Sequence, residues 1–240
     1  MRNVIGGNMY RYEKKYIINT LQVEILKQRL FPIMKLDNNL GESTFYSIRS
    51  IYFDDYYDTN LKQVINGVSE RFKYRIRFYN YSDKYIMLEK KIKINNMSKK
   101  ISCSLTKKQV YNILNNINLN VSKENNKLLN EFYLMIKTRY YRPKVIIDYD
   151  RIPFVYEAGN VRVTIDYNLS CCSDFNRVFS KRKSNIPLME DGYCILEVKY
   201  NDFIPDFIRY ALQLNELERI SYSKYGKGRL MIKNVLGGSI

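Results

Sequence analysis

Arg71, Lys73, Arg75 and Arg77 recur at every second position of the stretch RFKYRIRFYN, and rows of the same kind return along the chain. Glu13 stands two residues before Lys15, Glu89 two before Lys91, Glu197 two before Lys199 and Tyr149 two before Arg151, while Arg162 and Asp166 share a row with Thr164. A guanidinium grips a phosphate through paired N–H groups, and an ammonium meets it as a point charge. A row of both suits several phosphates in line. The carboxylates set among the cations have a separate use. With no histidine in the chain, glutamate oxygens are the natural ligands for Mg²⁺ or Mn²⁺, which bridge phosphate oxygens. Glu13 and Glu197, on cationic strands, are the better metal candidates; Glu89 reads at least as well as an ion-pair partner of its neighbours. The lack of histidine also excludes a Ser-His-Asp or Cys-His pair and His-ligated zinc.

A spacing of two puts these side chains on one face of a β-strand, and in RFKYRIRFYN, VRVTID and LEVKY the residues between them are apolar or aromatic. Eight such strands can be read: Tyr10 to Ile18, Ser47 to Asp54, Arg71 to Asn80, Tyr85 to Ile94, Lys99 to Cys103, Lys144 to Arg151, Val161 to Asp166 and Tyr193 to Tyr200. Helices fall between them. Asn19 or Thr20 caps one from Leu21 to Leu30 with Leu21, Ile25, Leu26 and Leu30 as its stripe, a short one runs from Leu61 to Val68, and Thr106 caps another to about Ile117. Lys123 to Lys137 gives a fourth, its apolar side formed by Leu128, Leu129, Phe132, Leu134 and Ile136, and Pro205 opens a fifth. Residues 167–192 read as an irregular excursion carrying the basic run Lys181-Arg182-Lys183, and Ser221 to Lys233 as a closing tail. Neither GxGxxG nor GxxxxGK[ST] occurs. These elements make one α+β domain over residues 1–240, built on an antiparallel sheet or barrel. If the sheet closes with the helices outside, the charged faces must point inward. A dry interior could not hold them, because desolvating each ion costs several kcal/mol; such a lumen holds water or a polyanion with its metal.

The 40 Lys and Arg against 24 Asp and Glu give a net charge of +16, which calls for an anionic partner: nucleic acid, a membrane surface or a phosphate compound. Lys, Asn, Ile and Tyr are all plentiful, so genomic base composition accounts for part of the lysine excess, but it does not explain the arginines. Cys103, Cys171, Cys172 and Cys194 form no CxxC pattern and read as reduced thiols of a cytoplasmic protein. Met1 to Asn8 has no apolar core of a signal peptide, and no apolar run is long enough to span a membrane.

RYEKKYII, SIYFDD, RFKYRIRFYN, LEKKIK, YDR followed by VRVTID, LEVKY followed by a Pro-led helix, and SYSKYGKG stand in one order along about Tyr10 to Gly228. In that order they resemble the polyphosphate polymerase domain of the vacuolar transporter chaperone (VTC) family, among the triphosphate tunnel metalloenzymes. The resemblance implies a closed eight-stranded antiparallel β-barrel with a polar, basic lumen and helices packed outside, taking ATP or another triphosphate and inorganic polyphosphate with Mn²⁺ or Mg²⁺. It assigns the first-strand lysine to Lys15, the RxR pair to Arg75 and Arg77, and the following ExK lysine to Lys91. A further tunnel lysine is Lys99 or Lys100. YxR gives Tyr149 and Arg151, RxTxD gives Arg162, the last ExK gives metal-binding Glu197 with Lys199, and the SK pair is Ser223 and Lys224. The ExExK signature of the CYTH branch is incomplete here, with Arg11 in place of its first glutamate. The family's enzyme in yeast has a further lysine where this chain has Ser221.

The implied activity is transfer of the γ-phosphate of ATP to a growing phosphate chain, without a covalent enzyme intermediate. Water as acceptor would make a triphosphatase, and a catalytically dead polyphosphate-binding domain is a further reading. The rival from another class is a nucleic-acid-binding module with aromatics between cations. That rival needs the tyrosines on the cationic side, whereas Phe72, Tyr74 and Phe78 alternate with the arginines. The resemblance leaves room for a membrane partner protein.

Overall fold

The computed structural model describes residues 10–120, 126–214 and 217–235. Its strands are β1 (Arg11–Asn19), β2 (Lys35–Leu36), β3 (Tyr46–Asp54), β4 (Glu70–Tyr79), β5 (Ile86–Ile94), β6 (Met97–Leu105), β7 (Arg142–Tyr156), β8 (Val161–Cys172), β9 (Ile186–Pro187) and β10 (Tyr193–Tyr200). Eight of them close a ring in the order β7-β3-β4-β5-β6-β1-β10-β8, with β8 returning to β7, and every neighbouring pair is antiparallel. Closure removes the free edges that an open sheet of such strands would expose. The short β2 and β9 pair with the extended ends of β7 and β8. The seam between β1 and β6 is the thinnest, with only Arg11–Ser98 and Tyr12–Met97 in register.

Six helices accompany the barrel: α1 (Thr20–Leu30), α2 (Thr59–Ile65), α3 (Lys107–Asn115), α4 (Lys127–Thr138), α5 (Asp206–Ala211) and α6 (Lys224–Val235). Reciprocal caps start two of them: the side chains of Asn19 and Gln22 exchange bonds with each other's backbone N–H groups, and Thr106 and Gln109 do the same. One outer cluster packs α3 and α4 on β3 to β6, with Tyr74, Phe78 and Phe132 fully buried at its centre. A second packs α1 and α5 on β1, β7, β8 and β10 through Leu26, Leu30, Phe154 and Leu196. α1 turns differently from its sequence pattern. Val23, Leu26 and Leu30 are buried, whereas Leu21 is 70% exposed. In α4, Tyr133 takes the buried place expected of Leu134; residues 123–125 of the expected helix lie outside the described residues.

Three elements run further than their alternation suggests. β6 spans Met97–Leu105, β7 continues through Pro153 to Tyr156, and β8 continues to Cys172. In β8 a bulge explains the lost pattern. Asn168 adopts a left-handed conformation (φ 53°), and the register against β7 shifts between Asp148 and Asp150. One extra residue moves Leu169 and Cys171 onto the face that carries Asp166. Much of the supposed excursion is therefore strand.

The supposed tail is a helix. α6 begins at Lys224, packs against β7 and β8 at Gly228 and meets α2 at Gly226. A Cβ at Gly228 would stand 2.3 Å from Ile147 Cδ1, and one at Gly226 would stand 2.9 Å from Val64 of α2. Only a residue without a side chain lets the helix approach so closely.

Candidate functional site

The strand register puts Arg71 opposite Lys93, Lys73 opposite Lys91, and Arg75 opposite Glu89. On the other side of the ring Glu13 faces Lys199 and Lys15 faces Glu197 across β1 and β10. Directly paired residues share a face, and here that face is the lumen. The lumen holds a cavity of about 430 Å³ lined by eleven cationic side chains and two carboxylates, Glu13 and Glu197. Carboxylates behind the lining offset part of that excess, and the rest calls for an anionic ligand or counterions.

Two further carboxylates stand behind the lining. Glu89 is buried; it accepts from Arg75 Nε at 2.6 Å and Lys100 Nζ at 2.9 Å, with Arg77 at 3.9 Å. Burial would push its carboxyl up, but Arg75 and Arg77 hold it well below the usual range. Arg75 also donates to Tyr52 Oη at 3.0 Å, and Arg77 to Tyr149 Oη at 2.9 Å. Asp166 accepts two parallel bonds from Arg151, at 2.6 and 2.7 Å, and a third from Lys224 at 2.6 Å. Against the cost of burial, Arg151 and Lys224 bring its pKa down to about 2.

The lining carboxylates are held by lysines. Glu13 accepts from Lys91 at 2.6 Å and Ser98 Oγ at 3.0 Å, and pairs with Lys15 at 3.1 Å. Glu197 pairs with Lys199 and lies 3.7 Å from Arg151 Nη2. Burial opposes ionisation of both, yet Lys91 and Lys15 hold Glu13, and Lys199 and Lys15 hold Glu197, well below the usual range. Burial pushes the Lys199 ammonium down to about 7 despite the pull of Glu197 and Glu13.

Glu13 and Glu197, on the paired strands β1 and β10, feel each other's charge. Hard carboxylate oxygens of this kind suit Mg²⁺ or Mn²⁺. Among the described residues no group of three or more His, Cys, Asp or Glu side chains could hold a metal by itself. Two carboxylates do fit the common arrangement in which substrate phosphates and water complete the shell of Mg²⁺.

The C-terminal segment supplies the remaining wall. Lys15 Nζ donates to the Tyr222 carbonyl at 2.8 Å, and Ser223 Oγ accepts from the Gly226 N–H at 3.1 Å, capping α6. Lys224 lies over the Tyr149 ring, 4.8 Å from its centroid.

Lys15, Arg75, Arg77, Lys91, Tyr149, Arg151, Lys199, Ser223, Lys224, Glu13 and Glu197 thus come together around one cavity. Arg162 does not line it: its Nη2 donates to Asp37 at 2.7 Å and Tyr46 Oη at 2.9 Å. The register separates the two lysines that the sequence left open. Lys100 pairs with Lys91 on the lumen face and reaches Glu89, whereas Lys99 pairs with Ile92 and points the other way, over the Tyr10 ring. Lys73, Lys93, Tyr52 and Arg219 also line the cavity. The first two lie in rows already visible as alternation; nothing in the sequence marks the last two.

A family model described as the VTC domain matches residues 10–233. No curated protein matches the chain. Among solved structures, the PH1819 protein of Pyrococcus horikoshii OT3 is similar at 14% identity and a TM-score of 0.43, covering 88% of this chain and 95% of that one. A provisional adenylate cyclase from Bacillus halodurans is similar at 12% identity and a TM-score of 0.45, covering 98% of this chain and 93% of that one.

Proposed function

This chain belongs to the VTC domain family, and from that premise we propose that it is a polyphosphate polymerase, moving the γ-phosphate of ATP onto the end of an inorganic polyphosphate chain. The observation that carries this reading is the lumen: eleven cations against two carboxylates in one cavity of about 430 Å³. A chain of phosphates matches both its charge and its elongated rows.

The terminal oxygen of the acceptor chain attacks the γ-phosphorus, the bond to the β-phosphate oxygen breaks, and ADP leaves. Catalysis of such a transfer is positioning and electrostatics, with little covalent work for the protein. Arg75, Arg77, Lys91 and Arg151 grip and neutralise the phosphates. Lys15, Lys199, Lys100, Ser223 and Lys224 complete the cradle, and Tyr149 holds Arg77 in place. Glu197, with Glu13, would hold the divalent cation, Mn²⁺ or Mg²⁺, which when bound neutralises charge building up on the transferring group. Arg162, tied to Asp37, and Lys99, on the outer face, stand apart from this set.

Among the described residues no helix is long and apolar enough to cross a membrane. A cytoplasmic location is part of the proposal, which leaves room for a membrane partner protein. Incubation with ATP and Mn²⁺ followed by gel analysis tests it: long phosphate chains with release of ADP are the expected result. Orthophosphate in place of chains would make the enzyme a triphosphatase, and unaltered ATP would make the tunnel a binder.

A further inference from the structure

Arg71, Lys73, Lys93 and Arg219 differ from the other cations of the lumen in having no carboxylate partner among the described residues, and Lys73 is the most deeply buried of the first three. Arg75, Arg77, Lys91, Lys100, Arg151, Lys199 and Lys224 each pair with a carboxylate, but among the described residues Lys73 pairs with none. Its Nζ donates to Ser223 Oγ at 3.0 Å and lies 5.4 Å from the centre of the Tyr225 ring. Arg71 stands two residues before it, and Lys93 faces Arg71 across β5. Burial and the surrounding cations Lys91, Arg71, Lys15 and Lys93 disfavour its charged form. A buried lysine among cations is costly unless an anion completes it. α6 starts beside it, and the positive end of the helix dipole adds to the same field.

The row also has length. From Arg71 to Arg77 the strand rises about 20 Å at roughly 3.3–3.4 Å per residue. A triphosphate seated at Arg75, Arg77 and Arg151 leaves Arg71, Lys73 and Lys93 unoccupied. A nucleobase carries no charge with which to neutralise them. We infer that Arg71, Lys73 and Lys93, with the Ser223 hydroxyl, form an added phosphate subsite that selects an extended inorganic polyphosphate chain over a single triphosphate group. This inference rests on the proposed phosphate-binding function of the tunnel.

Calorimetric titration of the full chain with inorganic tripolyphosphate, long-chain polyphosphate and a single-stranded oligothymidylate tests it, using wild type and Lys73→Met. Wild type is expected to bind the long chain more tightly than tripolyphosphate. Lys73→Met should weaken long-chain binding about tenfold or more, the worth of a charge-assisted contact, while tripolyphosphate binding changes less than about threefold. An apo melting temperature at or above that of wild type shows that the variant folds; if it melts lower, Lys73→Gln replaces it in the same titrations. Equal losses for both phosphates, or none for either, overturn the subsite. So does wild-type preference for the oligonucleotide over polyphosphate. Tripolyphosphate binding without a long-chain preference overturns the subsite alone, whereas wild type that binds no phosphate overturns the proposed function with it.

Discussion

Glu89 and Asp166, behind the wall, are gripped by arginine guanidinium groups, whereas Glu13 and Glu197, on the wall itself, are surrounded mainly by lysines. A guanidinium fork fixes its partner in a plane, and an ammonium on a flexible stem does not. Glu89 and Asp166 therefore serve the cations: they set Arg75, Arg151 and Lys224 in position before any ligand arrives. Glu13 and Glu197 carry the opposite relation. In the proposed function their lysines would swing to an incoming phosphate and leave carboxylate oxygens for a metal. Charge alone does not distinguish these roles; the partner's geometry does.

Substituting Asp166→Asn should have the largest effect. It leaves Arg151 and Lys224 buried without their carboxylate, and breaking a buried pair in this way costs about 3–5 kcal/mol. Urea unfolding should show it as a lower midpoint; an unchanged midpoint would mean that Asp166 is no anchor. Under the proposed function, Arg75→Ala would remove a charge-assisted contact to the transferring phosphates and should lower kcat/KM roughly 10- to 150-fold. Wild-type rates would remove Arg75 from the site.

Acid should reach the Asp166 anchor next. Its pKa falls from 3.8 to about 2 on folding, so the stabilisation is complete above pH 3.8 and is lost as pH falls through the folded value. The loss amounts to about 2 kcal/mol, and Asp166→Asn should abolish that part of the acid limb in an unfolding series. Glu197→Gln should change stability less than Asp166→Asn, because Lys15 keeps its pair with Glu13 and Lys199, which burial already brings down to about 7, can shed its proton instead of remaining an unpaired buried charge. Its activity should nevertheless lose its dependence on Mn²⁺. Metal dependence that survives would make Glu197 an ion-pair partner like Glu89.

The rows that hold these groups were legible because alternation survives in them. RFKYRIRFYN keeps its period of two from Arg71 to Phe78, so its cationic face could be read without coordinates. Lys99 and Lys100 were not separable, since adjacent lysines satisfy either parity; pairing of Lys100 with Lys91 decides between them. Asn168 broke the pattern of β8 by inserting one residue, which reverses the facing of everything after it. SYSKYGKGRLMIK concealed a helix because Gly226 and Gly228 lower helix propensity, and only their close approach to Val64 and Ile147 explains why they are there.

By itself, then, the chain determined its strand faces, its positive charge and the residue types available for phosphate and metal, because side-chain periodicity and ionisation are local properties. Tertiary structure alone decided which carboxylates became brackets for arginine, which remained on the lumen wall, and that α6 would close against β7 and β8. Those outcomes depend on register between strands far apart in sequence, where a shift of one residue exchanges inside for outside.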